Sequence, residues 1–180
     1  MLYAACRLWR PDNLLARGDR ERGSIRERET PVKICLVASA GGHLSQLLKI
    51  AQVVEGYEAF VVTTSDAVRK NLTQFGQVHV VGECNRQHRL QVVKVFLRCW
   101  RILRRERPDV VLSTGAAPGC LCCFLGKLGG AKIVWVDSIT NVDRLSLSGW
   151  LVRYIADLFI VQWAELARKY RGTEYVGTIV

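Results

Sequence analysis

Short uninterrupted apolar runs alternate along the chain with stretches whose apolar residues return every three or four positions. Lys33 to Ala38 opens the series with Ile34, Cys35, Leu36 and Val37 in a row, the pattern of a strand buried on both faces. Leu44, Leu47, Leu48 and Ala51 follow at i, i+3, i+4 and i+7, which is helical spacing. Glu58 to Thr63 reads as a second strand. Ser65 to Phe75 reads as a helix opened by Ser65 or Asp66 and closed by Gly76. Gln77 to Val81 is a third strand, and Gly82 to Arg89 a polar loop with His88 near its end. Leu90 to Arg105 reads as a long helix with Val93, Leu97, Trp100 and Leu103 on one face. Lys94, Arg98, Arg101, Arg104 and Arg105 occupy its other face. Pro108 stops it. Asp109 to Leu112, Ala131 to Val136 and Leu158 to Val161 supply three more strands. Helices are expected through Leu128, over Gly149 to Ala156 and over Ala164 to Tyr170, with a polar loop from Ile139 to Ser148. Six strands separated by helices predict an α/β fold: a Rossmann-like open parallel sheet with helices on both faces.

Such sheets bind ligands at the carboxyl ends of their strands, where strand order reverses. Ser39, Ala40, Gly41, Gly42 and His43 follow the first strand and open its helix. The N–H groups and positive dipole end there suit an anion. The turn lacks G-x-G-x-x-G and G-K-[ST], so it is neither the dinucleotide fingerprint nor a P-loop. A tight structural turn is the plainer reading of the two glycines, and a satisfied helix-entry ring that of His43. Histidine is also the side chain most used as a base near neutral pH. A second small-residue turn, Ser113 to Gly119, should face the same edge, as should Asp137 and Ser138 after the fifth strand. His43, Ser113, Thr114, Gly115, Asp137 and Ser138 are therefore expected in one crevice, unless Asp137 and Ser138 merely cap the loop that follows.

Composition narrows the partners. The chain has 180 residues, 49% hydrophobic and 23% charged, with a formal net charge of +10. One domain over residues 32–180 is expected. Within Met1 to Pro31, Arg17 to Glu29 is mixed charge with almost no apolar residue; the segment reads as a disordered or mistranslated leader that could not repay its ordering entropy, or else as a basic arm that touches phosphates or lipid. The basic balance suits a phosphate-bearing partner or an anionic membrane surface; no nucleic-acid motif is visible. Seven cysteines, no signal-peptide pattern and no run long enough to span a bilayer suggest a reducing, cytoplasmic setting. Cys120 and Cys123 form a C-x-x-C, with Cys122 between them and no second ligand pair; buried inert thiols are expected, with no metal and no cofactor. Near the carboxyl end, Tyr175, Val176, Ile179 and Val180 are apolar with little chain left to cover them, and should pack on a partner or on the chain's own sheet edge.

The series S-x-G-G-H, a small-residue second turn, D-S after the fifth strand, L-S-L-S-G, and A-D-x-F-x-V-Q-W resembles the acceptor-binding subunit of bipartite UDP-sugar glycosyltransferases. These include the eukaryotic subunit for the dolichol-linked N-glycan precursor and the bacterial PssD-like proteins; MurG's amino-terminal half is more distant. The resemblance covers roughly Val32 to Val180, and Asp137 to Trp163 is its specific part. Asp137 stands where eukaryotic members tend to have Glu, and the polar 1–31 segment has no likeness to their amino-terminal membrane helix.

The resemblance implies one half of a GT-B glycosyltransferase. This chain would bind a lipid-pyrophosphate acceptor through Ser39, Gly41, Gly42, Ser113, Thr114, Gly115, Asp137 and Ser138, with His43 as base. A separate small subunit would carry the UDP-sugar site and dock on the carboxyl-terminal residues Tyr175, Val176, Ile179 and Val180. The assembly would sit peripherally on the cytoplasmic face of a membrane; the charge of the arginine face of Leu90 to Arg105, with Trp150 and Leu151, suits an anionic leaflet, unless that face is simply solvated. Two other classes stay open on the residues alone: a stand-alone nucleotide-binding Rossmann enzyme, and a basic non-enzymatic membrane-surface adaptor.

Overall fold

The computed structural model of the chain describes residues 31–83 and 89–179. The expected leader up to residue 30, His88 and Val180 lie outside the described residues. In chain order the elements are β1 (Lys33–Ala38), α1 (Gly42–Ala51), β2 (Glu58–Thr63), α2 (Arg69–Leu72), β3 (Gln77–Val80), α3 (Arg89–Glu106), β4 (Val110–Ser113), α4 (Ala116–Leu128), β5 (Lys132–Val136), α5 (Leu147–Val152), β6 (Leu158–Val161), α6 (Ala164–Lys169) and β7 (Glu174–Tyr175).

Among the described residues, seven strands join one sheet in the order β3-β2-β1-β4-β5-β6-β7, and each of their pairings is parallel. The strand runs are apolar on both faces because both faces are covered. Ile34, Leu36, Val110, Leu112, Val134 and Val136 meet Leu44, Leu47 and Ile50 of α1 on one side. Cys35, Val37, Val111, Ile133 and Trp135 meet Val95, Cys99 and Leu103 of α3, Cys122 and Cys123 of α4, Val152 of α5 and Leu166 of α6 on the other.

Three expectations are corrected. The Ser65–Phe75 helix is broken into 3-10 turns at Asp66–Val68 and Thr73–Phe75 around the single turn of α2. The Gly149–Ala156 helix lies earlier, at Leu147–Val152, because the Ser146 hydroxyl caps it by accepting from the Gly149 N–H. On the apolar face of α3 expected from Val93, Leu97, Trp100 and Leu103, the first three are exposed and only Leu103 is buried. A seventh strand, β7, adds to the sheet edge beside β6.

The tail beyond β7 turns back on the domain. Ile179 is buried in the α1-side core and Val176 packs against it. The Ile179 N–H donates to Gln162 Oε1 at 2.9 Å. Tyr175 on the edge strand stays exposed.

Candidate glycine-turn site at the switch point

β1 lies between β2 and β4. The chain leaves β1 through α1 toward β2 on one side, and leaves β4 through α4 toward β5 on the other. The reversal of strand order therefore falls between β1 and β4, and both glycine turns open there.

Each helix start follows a positive-φ glycine, and α4 then opens on Ala116, itself at φ 65°. Gly41 precedes α1 with φ 118°, and Gly115 precedes α4 with φ 135°, a region L side chains rarely adopt. Neither helix has a side-chain cap. The first N–H groups of a helix have no intrahelical acceptor, so those at Gly42 and His43 and at Ala116 and Ala117 are left for a ligand. Pro118, which has no N–H, occupies the third position of α4, where none is needed. Gly41 and Gly42 are exposed. Ala40 is held by its N–H, which donates to Thr64 Oγ1 at 3.0 Å.

His43 bridges the two turns. Its Nδ1 lies 2.9 Å from the Thr114 carbonyl oxygen, and the Thr114 hydroxyl donates to the His43 carbonyl at 2.7 Å. A carbonyl only accepts, so Nδ1 is the donor in this contact, which selects, for an uncharged ring, the tautomer with its lone pair on Nε2. The ring is half-buried. Ser113 and Thr114 are buried. The Ser113 hydroxyl accepts from the Gly115 N–H at 3.2 Å, which fixes the turn.

Asp137 and Ser138 follow β5 at the same edge, but their side chains are taken up by the loop. Asp137 is buried; its Oδ1 accepts from Trp135 Nε1 at 3.2 Å and from the Ser146 hydroxyl at 3.1 Å, and its Oδ2 from Asn141 Nδ2 at 2.9 Å. The Asp137 carbonyl accepts from Gln162 Nε2 at 2.9 Å, and Trp163 Nε1 donates to the Ile139 carbonyl at 2.8 Å. Ser138 makes a local turn with Thr140. The loop-organising reading fits these contacts, and the segment Asp137 to Trp163 is one hydrogen-bonded unit that also holds the tail through Gln162. Sequence reasoning missed Asn141, Ser146 and Gln162 in this role; their polar side chains inside an otherwise buried segment were the available signal. Ser39 lies half-buried beside the first turn.

Among the described residues no cluster of three or more His, Cys, Asp or Glu side chains could hold a metal ion. Cys35, Cys122 and Cys123 are buried thiols pushed well above their usual range by desolvation, with the Cys99 hydrogen bond acting first on Cys122. A cavity of about 680 Å³ opens between α3 and α4 near Pro108 and Gly129, at the amino ends of β4 and β5 and away from the glycine turns.

A parallel sheet with paired glycine turns at its switch point defines a Rossmann-like domain of the GT-B type. Solved structures agree. The Acinetobacter baumannii MurG crystal structure superposes with a TM-score of 0.62 at 15% identity, over 82% of this chain and 46% of that one. A UDP-N-acetylglucosamine 2-epimerase superposes with a TM-score of 0.63 at 13% identity, over 83% of this chain and 49% of that one. The chain spans less than half the length of those structures, and at such identities the likeness is one of fold. Residues 34–179 match the family described as "Oligosaccharide biosynthesis protein Alg14 like", and the chain belongs to that family. The Mus musculus protein named UDP-N-acetylglucosamine transferase subunit ALG14 is 30% identical over 83% of each chain. The Candida albicans protein of the same name is 27% identical over 87% of this chain and 84% of that one.

Proposed function

We propose that this chain is the acceptor-binding subunit of a glycosyltransferase that moves N-acetylglucosamine from its UDP conjugate to a lipid-pyrophosphate-linked acceptor. The observation that carries the reading is the pair of uncapped helix starts with His43 between them. Two N-terminal dipole ends converging on one edge suit a doubly charged pyrophosphate. The Nε2 lone pair of His43 takes the proton of the attacking acceptor hydroxyl. The hydroxyl oxygen then bonds to the anomeric carbon, and UDP leaves with the bonding pair. The donor site belongs to a second subunit, in keeping with the word "subunit" in the relatives' names. Its docking surface is the outer edge of β7, the last strand of the sheet among the described residues, with Tyr175.

The chain docks peripherally on the cytoplasmic face of a membrane. Among the described residues no helix is long and apolar enough to cross one. Val93, Leu97 and Trp100 of α3, Phe124 and Leu128 of α4, and Trp150 and Leu151 of α5 are exposed, with Leu128 at 86%. These helices cover the same face of the sheet, and α3 adds Lys94, Arg101, Arg104 and Arg105, all exposed. Apolar side chains rimmed by cations suit an anionic leaflet.

The test is His43→Ala in the chain co-expressed with its donor-binding partner. A general base contributes roughly 10²- to 10⁴-fold, and turnover should fall by that order with the fold unchanged. Activity within a few-fold of wild type would remove the base.

A further inference from the structure

We infer that Thr114 and Gly115 are positioning residues that set both the tautomer and the place of the His43 ring. The inference rests on the reading of His43 as the base. Thr114 is fully buried, so neither its hydroxyl nor its side-chain methyl reaches a ligand. Two of its polar groups are spent on His43 instead: the carbonyl accepts from Nδ1, and the hydroxyl donates to the His43 carbonyl. The two bonds tie the residue after β4 to the second residue of α1, across 71 positions of sequence.

The carbonyl decides the tautomer. It can only accept, so it draws the proton to Nδ1 and leaves Nε2 as the basic nitrogen. The hydroxyl decides the distance, because it fixes the backbone of His43 to the same residue whose carbonyl meets the ring. Gly115 leaves room for the result. A Cβ there would stand 2.5 Å from His43 Cε1 and 2.7 Å from Nδ1, well inside van der Waals contact, and φ 135° disfavours any side chain as well. Every other residue at 115 therefore pushes the ring off the Thr114 carbonyl. An imidazole so displaced loses both its tautomer and its aim, and a misplacement of about 1 Å can cost ~10²-fold in rate.

The experiment uses the full chain co-expressed with its donor-binding partner and labelled with ¹⁵N-histidine. The three histidines are told apart by the signals that vanish in His43→Ala. Wild type should show the neutral His43 ring protonated on Nδ1 and unprotonated on Nε2. Thr114→Val keeps the shape and the carbonyl but loses the hydroxyl. It should keep the proton on Nδ1 but shift the ring signals as the ring leaves its seat, and lower kcat about three- to ten-fold, the size of one hydrogen bond, with KM for the acceptor unchanged. Thr114→Ser restores the donor and should bring both readouts back. Gly115→Ala should shift the ring signals and cost ~10²-fold in kcat. A wild-type ring protonated on Nε2, or a Thr114→Val ring and kcat both like wild type, overturns the assignment; if the valine variant does not fold, the wild-type ring signals alone decide it. Expected ring signals with full turnover in His43→Ala would leave the seat standing and remove the base role instead.

Discussion

Replacing Asp137 separates a residue that organises the site's border from one that touches substrate. The carboxylate accepts three side-chain hydrogen bonds. In Asp137→Asn, Oδ1 can still serve Trp135 and Ser146, and the Asn141 amide can rotate to offer its oxygen to the new NH₂. The loss is then mainly the difference between charge-assisted and neutral hydrogen bonds, about 1 kcal/mol each at most, or roughly 2–3 kcal/mol over the three bonds. In Asp137→Ala all three donors lose their acceptor. Trp135 is fully buried and bears the whole penalty of an unsatisfied indole N–H, about 1–3 kcal/mol. Ser146 and Asn141 are half-buried, so water can replace part of their loss. The alanine variant should therefore unfold ~3–5 kcal/mol more easily, with the asparagine variant between it and wild type. Urea unfolding followed by tryptophan fluorescence reads this, because Trp135 sits at the centre of the change. An alanine variant within ~0.5 kcal/mol of wild type that nonetheless loses acceptor binding would refute the loop-organising account and return Asp137 to the crevice.

Other consequences follow from separate parts of the fold. The Glu106 carboxyl is held below its usual range chiefly by the hydrogen bond from Lys33, at 2.8 Å. A depressed folded pKa stabilises above the unfolded value and is lost as pH falls through the folded one, so Glu106→Gln should destabilise near neutral pH and match wild type in strong acid, by denaturation midpoints across pH. Leu97→Ser on the exposed stripe should change stability by no more than about 0.5 kcal/mol, whereas Leu103→Ala should cost ~2–5 kcal/mol. The combined change of Val93, Leu97 and Trp100 to serine should abolish sedimentation with anionic vesicles while leaving the unfolding curve in place. Deleting Glu174 to Val180 would also remove buried Ile179, so Tyr175→Asp is the sharper test of docking; it should lower co-purification with the donor subunit without loss of fold.

Some of this was legible before the fold. Runs such as KICLVA and KIVWV in the sequence admit little but doubly buried parallel strands, and a glycine pair at the end of one marks the ligand edge. The orientation of α3 was not legible for a physical reason. Val93, Leu97, Trp100 and Leu103 form one apolar stripe, and Val95, Cys99, Ile102 and Leu103 form another. Periodicity cannot say which meets the sheet when both are apolar, and that ambiguity is what a helix apolar on its outer side also produces. β7 was hidden because a strand of two residues carries no pattern. Asp137 was placed at the right edge by strand register, but its direction depends on Asn141, Ser146 and the indole of Trp135, which only the folded loop brings together. The bond between His43 and Thr114 is a main-chain contact on one side, and no side-chain pattern encodes it.

The central claim is that this chain supplies the acceptor half of a transferase and works only with a donor-binding subunit. Transfer of radiolabelled N-acetylglucosamine from its UDP conjugate to a polyprenyl-pyrophosphate-linked acceptor, measured for each subunit alone and for the pair, tests it directly. The account predicts no transfer by either alone, retention of the lipid-pyrophosphate acceptor by this chain, and transfer by the pair. Transfer by this chain alone, or acceptor binding by the partner instead, would contradict it.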